Sequence, residues 1–237
     1  AVFAAFAGSP ARVALRDAAG QAWSRRDVTE SVKAWRRLLS DRGIGPSHRV
    51  ATLVPNAAPT AILLLALVDA VNLMPMNPGA QPAQIAEQVA AADVDVIVTT
   101  AAFGASLAGV LPKTVTLLIW DGAEPSLEGA DVRPPRGARA PGLVLQTSGS
   151  TGIPKRVPLT PAQMIASARN IAGHLNLGPK DRAIHALPMF HIGAVVDLMA
   201  APLMAGGEVV LARDLSAGAV IEAARAGGTW LQLVPTA

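Results

Sequence analysis

The chain has 237 residues, 51% of them hydrophobic and 16% charged, and a chain of this size can bury roughly 70% of its unfolded surface in a globular core. Its formal charge of +3 does not indicate nucleic acid as a partner, because aromatic residues make up only 3% and no basic run exceeds two residues. The absence of cysteine excludes disulfides and thiolate metal sites, and is compatible with a cytoplasmic protein in a reducing environment.

Strand and helix patterns alternate along the chain, which is typical of an α/β protein. In chain order, strands are predicted at Val50–Val54, Val94–Thr99, Val115–Trp120, Leu143–Gln146, Glu208–Leu211 and Trp230–Val234. Helices are predicted around and between them at Arg26–Leu39, Ala57–Ala70, Pro82–Ala91, Pro161–His174, Gly193–Met204 and Ala217–Ala226. This alternation favours mostly parallel sheets flanked by helices, with right-handed crossovers.

Local signals refine three of these elements. Ser24 and Asp27 form an approximate capping box at the start of the first helix, and Gly43 is a stop signal just past its end. The second helix contains the apolar run 61–68, which is far shorter than the ~20 residues of a membrane-spanning helix. We therefore expect a buried helix and no membrane span. The stretch 121–141, rich in Gly, Pro and Ala, indicates a loop that joins one α/β half to the other.

The most informative segment is the loop Gln146–Lys155, which directly follows an apolar strand. Its two glycines allow positive φ and close backbone approach, so that successive N–H groups can surround anionic oxygens. Hydroxyl side chains add hydrogen-bond donors, and a lysine adds a mobile positive charge. A strand, this loop and then a helix at Pro161 form an order typical of phosphate binding. The loop therefore predicts a polyphosphate site.

Other interpretations of this loop are weaker. A Gly/Ser surface turn without a ligand is the simplest alternative. A Walker loop is excluded, because Ile153 and Pro154 separate Gly152 from Lys155 and no Ser or Thr follows the lysine. A nucleophile elbow is also excluded, since no Gly-x-Ser-x-Gly spacing surrounds either serine of the loop.

The complete loop string resembles the phosphate loop of the adenylate-forming superfamily, which includes acyl-CoA synthetases, aryl-CoA ligases and the adenylation domains of peptide synthetases. Further resemblance lies in segments 13–17, 23–27, 49–56, 74–78, 186–193 and 206–211. The resemblance is closest to acyl-CoA and small-carboxylate CoA ligases. The chain departs from the family pattern at Asp69 and Arg156, where glycine is usual, and at Pro161, where histidine is common.

The resemblance implies that residues 1–237 are the N-terminal part of the large AMP-binding domain of an adenylate-forming enzyme. Family members continue well beyond this length, with a magnesium-binding glutamate, a ribose-binding aspartate, a hinge and a small C-terminal domain that carries a catalytic lysine. None of these is recognisable here, and the chain has no tyrosine for the segment that holds the glutamate. We therefore expect an incomplete fragment that is inactive by itself.

The implied reaction is ATP-dependent activation of a carboxylic acid to an acyl-adenylate with release of pyrophosphate, then transfer to a thiol, with CoA expected, and fatty acid metabolism is the expected setting. Lys155 and Thr151 receive the catalytic roles. The residues implied to contact ATP are Thr147, Ser148, Gly149, Ser150, Thr151, Gly152, Pro154 and Lys155. Mg²⁺ is an expected cofactor, but its carboxylate ligand is expected outside this chain, so no residue here is assigned to metal.

A single histidine after Phe190 would ordinarily be a core or surface residue. The match of segment 186–193 to the family's acyl-pocket motif implies instead that Phe190, His191 and Gly193 border the acid. Peptide synthetases usually carry aspartate at the position of His191 to pair with a substrate ammonium, so histidine argues for an acid without an α-amino group. Asp197 lies six residues later and does not align with that aspartate.

Two alternatives to an acid–CoA ligase remain open. The chain resembles, more distantly, an adenylation domain that loads a carrier protein in a biosynthetic assembly line. It is also compatible with a non-catalytic nucleotide-binding remnant.

Overall fold

A computed structural model describes residue 6 and residues 8–147 and 155–233. The strands are β1 Val13–Asp17, β2 Ala22–Ser24, β3 Arg49–Leu53, β4 Asn72–Pro75, β5 Val96–Thr99, β6 Thr116–Ile119, β7 Glu128–Gly129, β8 Gly142–Thr147, β9 Lys155–Leu159, β10 Arg182–His185, β11 Glu208–Leu211 and β12 Trp230–Leu231. The α-helices are α1 Arg25–Asp41, α2 Ala58–Leu67, α3 Pro82–Ala91, α4 Ala101–Leu107, α5 Pro161–His174, α6 Ala201–Met204 and α7 Ala217–Arg225, and a π-helix covers Gly193–Ala200.

The strands form two sheets. The larger has the order β7-β6-β5-β3-β4-β8-β9, and it is parallel except at its two edges, where β7 and β9 run antiparallel to their neighbours. The smaller has the order β12-β10-β11-β1-β2, with only β2 antiparallel. The predicted α/β class, with mostly parallel sheets flanked by helices, is confirmed.

The chain divides into two compact units. The first comprises Ala1–Val32, Asn56–Leu65 and Ala162–Ala237, and it contains the five-stranded sheet. The second comprises Lys33–Pro55 and Ala66–Pro161, and it contains the seven-stranded sheet. The segment 121–141, which we expected to join two halves, lies within the second unit, where β7 pairs with β6.

Most predicted elements are present, with ends that differ by a few residues. The capping box is formed, since the Ser24 N–H donates to the Asp27 carboxylate at 2.8 Å and the Asp27 N–H donates to Ser24 Oγ at 3.2 Å. Gly43 takes a φ of +70° just past α1. Among the described residues, no helix combines the length and the hydrophobicity that crossing a membrane requires, and residues 61–68 are buried.

A cluster of arginines around the carboxylate of Asp95 fixes the segment that leads into β8. Asp95, with 5% of its surface exposed, accepts hydrogen bonds from the Arg49 N–H at 2.9 Å, from Arg136 Nε at 3.2 Å and from Arg139 Nη1 at 2.8 Å. Asn72 Nδ2 donates to the Ala140 carbonyl at 3.0 Å. These contacts hold residues 136–140 against the sheet, so β8 begins from a fixed position.

Gly142 begins β8 in a position that excludes side chains. Its φ is +150°, and a Cβ atom there would overlap the Leu159 carbonyl oxygen of β9. We expect Gly142→Ala to lower the free energy of unfolding by about 2 kcal/mol or more, because either the backbone or the β8–β9 pairing must shift. Urea denaturation measures the change. Gly137→Ala is the matched control, since a Cβ on Gly137 meets nothing within 4 Å, and equal stability of the two variants would contradict the expectation.

Candidate functional site

The predicted phosphate loop connects the two strands of a β-hairpin in the second unit. Strands β8 and β9 pair continuously from Leu143 opposite Leu159 to Thr147 opposite Lys155, and the Thr147 hydroxyl donates to the Lys155 carbonyl at 3.4 Å. Residues 148–154 lie outside the described part of the chain, and they include the predicted site residues Ser148, Gly149, Ser150, Thr151, Gly152 and Pro154. Five antiparallel residue pairs therefore fix both ends of the loop.

The strand β9 corrects the predicted order of strand, loop and helix. After the loop the chain first returns along β8, and α5 begins only at Pro161. The N-terminus of α5 therefore does not follow the loop directly. The sequence obscured this strand because Pro158 interrupts it, and proline is tolerated in a sheet on an edge strand, which is the position that β9 occupies.

Positive charge is available where the hairpin meets the loop. Lys155 is exposed, and it forms no ion pair with any residue that the structure describes. The neighbouring Arg156 is also exposed, but its guanidinium donates to the Ala91 carbonyl. Lys155 is therefore an exposed cation at this end of the hairpin that pairs with no carboxylate of the described residues.

The predicted acyl-pocket segment lies in the first unit, between β10 and the π-helix. Asn56 supports it through both ends of its amide: Nδ2 donates to the Leu187 carbonyl, and Oδ1 accepts from the Met189 N–H, each at 3.0 Å. Sequence reasoning included Asn56 in a matching segment without giving it a role. A match between short segments of sequence cannot reveal this contact, because the two partners of Asn56 lie more than 130 positions away in the chain.

His191 and Phe190 follow in a turn closed by a hydrogen bond from the His191 N–H to the Pro188 carbonyl at 3.0 Å. Their ring centroids lie 4.3 Å apart, with the planes tilted by 45°. The His191 side chain is exposed, yet partial desolvation lowers the pKa of its imidazole. A neutral ring packed against Phe190 is suited to lining one side of a substrate pocket, and less suited to carrying charge.

Gly193 begins the π-helix, and the helix predicted from Gly193 to Met204 is present over that whole range. Its first eight residues are π-helical, and the Ala201 N–H accordingly donates to the Val196 carbonyl. π-Helical segments are rare and occur frequently at functional sites. A Cβ on Gly193 would contact Leu187 Cδ1 at 3.4 Å and Asp197 Oδ2 at 3.5 Å, so these three side-chain positions adjoin one another.

Two titratable groups lie close to this segment. His185 is completely buried, and its Nε2 lies 3.0 Å from the Ala194 carbonyl, so it is the donor of that hydrogen bond. Burial lowers the pKa of His185 to about 4, which makes it a neutral structural residue. Asp197 is half-buried and accepts a hydrogen bond from Gln232 Nε2 at 2.9 Å.

The described residues offer no side-chain cluster for a metal ion. Outside residues 1–5, 7, 148–154 and 234–237, no three His, Cys, Asp or Glu side chains come together in a way that could hold a metal. We assign none of the described residues to Mg²⁺.

Known proteins that are similar to this chain include a CoA ligase and a peptide synthase. Residues 2–237 match the family described as AMP-binding enzyme. A sulfoacetate–CoA ligase of Cupriavidus necator is 35% identical over 212 residues, which cover 84% of this chain and 42% of the ligase. A dimodular nonribosomal peptide synthase of Bacillus subtilis is 28% identical over 197 residues, which cover 79% of this chain and 8% of the synthase.

The fold is also that of a solved protein with ATP bound. The crystal structure of ATP-bound MatB from Rhodopseudomonas palustris superposes with a TM-score of 0.84 at 24% identity, and the match covers 99% of this chain and 49% of MatB. The chain thus spans less than half the length of the sulfoacetate–CoA ligase and of MatB. The resemblance drawn from the loop and its companion segments is confirmed, and the chain belongs to the AMP-binding enzyme family.

Proposed function

We propose that this chain takes part in the ATP-dependent activation of a carboxylic acid, which forms an acyl-adenylate and releases pyrophosphate, and that the acyl group then passes to the thiol of CoA. The observation that carries the proposal is the family match over residues 2–237, which includes a hairpin whose ends present Thr147 and the exposed Lys155. The similarity to a sulfoacetate–CoA ligase supports CoA as the acceptor.

The chemistry demands little from the protein besides positioning and charge stabilisation. A carboxylate oxygen of the acid attacks the α-phosphorus of ATP, and the bond from that phosphorus to the pyrophosphate oxygen breaks. Negative charge then grows on the leaving pyrophosphate. We propose that Lys155, with the N–H groups and hydroxyls of residues 147–152, binds the β- and γ-phosphates and stabilises that charge.

We propose a separate role for the segment that Asn56 supports. Phe190, His191 and Gly193 would border the acid, with His191 acting as a neutral wall. The lowered pKa of His191 supports this role, because a neutral imidazole neither repels nor binds a charged substituent strongly. An aspartate there would instead select an ammonium group.

Acid-dependent exchange of labelled pyrophosphate into ATP tests the proposal. The assay is run on this chain and on the full-length protein that contains it, with short, long-chain, aryl and amino acids. We expect exchange by the longer protein alone, because the chain spans less than half of the related ligases. Consumption of CoA then identifies the acceptor, whereas acylation of a carrier protein would favour an assembly-line enzyme. Absence of exchange in both folded proteins would overturn the proposal.

His191→Ala is expected to change which acids are activated. Removing the ring opens the wall beside Phe190, so the ratio of kcat/KM between a bulky and a small acid should rise by about 10-fold. Stability should change by no more than about 0.5 kcal/mol, because the side chain is exposed. His174→Ala, another exposed histidine, is the control. An equal loss with every acid would show that His191 has no role in selectivity.

A further inference from the structure

Asp197 is a carboxylate in an otherwise apolar helix. Six of the eight residues of the π-helix are buried, and all six are Ala, Val, Leu or Met. Transferring a carboxylate from water to such surroundings is costly unless a partner compensates it. An apolar side chain at position 197 would fit the pattern of its neighbours and avoid that cost. Packing alone therefore does not explain an aspartate at this position.

No cation compensates this carboxylate within the described part of the chain. Its hydrogen-bond partner among the described residues is the neutral amide of Gln232. The contrast with Glu208 in the same unit is clear, because Glu208 lies 2.7 Å from Arg16 Nε and 3.5 Å from Arg182 Nε. Desolvation raises the pKa of the Asp197 carboxyl, and the hydrogen bond from Gln232 only partly opposes it. Groups perturbed in this way are enriched at functional sites.

The position of Asp197 connects it with the residues proposed to border the acid. A Cβ on Gly193 would lie 3.5 Å from Asp197 Oδ2 and 3.4 Å from Leu187 Cδ1. A side chain at position 193 would therefore touch the carboxylate, and glycine leaves it without that contact. A substrate that reaches Gly193 would meet an oxygen that accepts hydrogen bonds and carries negative charge when ionised.

We propose that Asp197 determines specificity, and that the acid activated by this enzyme carries a hydrogen-bond-donating group, most favourably an ammonium, remote from its carboxyl group. The inference rests on the function proposed above. The ammonium would supply the cationic partner that Asp197 does not find among the described residues, and a charge-assisted hydrogen bond is about twice as strong as a neutral one. The same carboxylate repels a second carboxylate in the substrate, which excludes dicarboxylic acids. Because His191 argues against an α-amino group, we place the donor further along the acid.

Three acids of equal length test the inference in the full-length protein. They are chosen from the class that supports pyrophosphate exchange, and their far ends carry a methyl, an ammonium or a carboxylate group. We expect wild type to prefer the ammonium acid over the methyl acid by about tenfold or more in kcat/KM. Asp197→Asn should abolish this preference and improve use of the dicarboxylic acid. Asparagine keeps the acceptor for Gln232, so the variant should fold, as its melting temperature will show.

The outcomes separate this inference from the proposed function. Asp214→Asn, which changes an exposed aspartate of the same unit, is the matched control and should retain the wild-type preference. Exchange with the methyl acid favoured, or with the same ratios in wild type and Asp197→Asn, would overturn the role of Asp197 and leave acid activation intact. Absence of exchange with every acid would overturn the proposed function, and this inference with it.

Discussion

Replacing Lys155 by alanine in the full-length protein is expected to slow acid-dependent pyrophosphate exchange by about 100-fold or more, which is the usual cost of removing one donor aimed at charge in the transition state. Lys155 is exposed and pairs with no carboxylate of the described residues, so the ammonium is available to a polyphosphate. For the same reason the free energy of unfolding should change by no more than about 0.5 kcal/mol. Exchange rates and urea denaturation measure the two quantities separately.

Two further variants make the Lys155 prediction specific. Lys113→Ala removes an exposed lysine from the same unit and should leave exchange unchanged. Lys155→Arg keeps the charge but replaces a compact ammonium by a planar fork, so partial recovery of activity is expected. If Lys155→Ala exchanges pyrophosphate at the wild-type rate, the loop 147–155 does not bind the leaving phosphates.

Replacing Asp95 by alanine should have the largest effect on stability. Its carboxylate accepts hydrogen bonds from two backbone N–H groups and two arginine side chains. The Arg139 side chain is only 12% exposed, and the substitution would remove its ion-pair partner. Breaking a buried ion pair by removing one partner costs about 3–5 kcal/mol. Because Arg136 remains partly exposed, we expect a loss near the lower limit, measured by urea denaturation of this chain. Asp131→Ala, at an exposed position, should cost little.

The same cluster predicts how stability depends on pH. Burial alone would raise the pKa of Asp95, but the hydrogen bonds from Arg49 and Arg136 and the charge of Arg139 outweigh it and lower the pKa below its usual value. A lowered pKa in the folded state means that the unfolded state binds the proton more tightly. The contribution of Asp95 is therefore complete above about pH 4 to 5, and it is lost as the pH falls through the folded-state pKa. Asp95→Ala should show a weaker loss of stability in acid than wild type, and identical profiles would contradict this assignment.

Sequence patterns predicted the elements whose signal is local. The helix at Pro82–Ala91 and the strand at Glu208–Leu211 have the predicted ends, because the first has a proline start and an apolar face, and the second a short β-branched run after two glycines. The patterns missed the helix α4 and the strands β1, β2, β4, β7, β9 and β10. Of these strands, β4, β9 and β10 contain Pro75, Pro158 and Arg182 respectively, and their pairing depends on neighbours that are distant in the chain.

The sequence alone determined the α/β class and the segment expected to bind phosphate, because alternating apolar periods and a glycine-rich string are properties of consecutive residues. The family was recognised from the resemblance of the loop and its companion segments to the adenylate-forming superfamily, and the match over residues 2–237 confirms it. The tertiary structure decided what depends on contacts between distant residues. It placed β9 antiparallel to β8, so that strand pairing fixes both ends of the loop, and it brought Asn56 to residues 187 and 189. It also brought Gln232 to Asp197 of the π-helix, across 35 positions of the chain. Spacing in sequence carries no record of these contacts, since folding creates the burial and the neighbours that give a carboxylate its role.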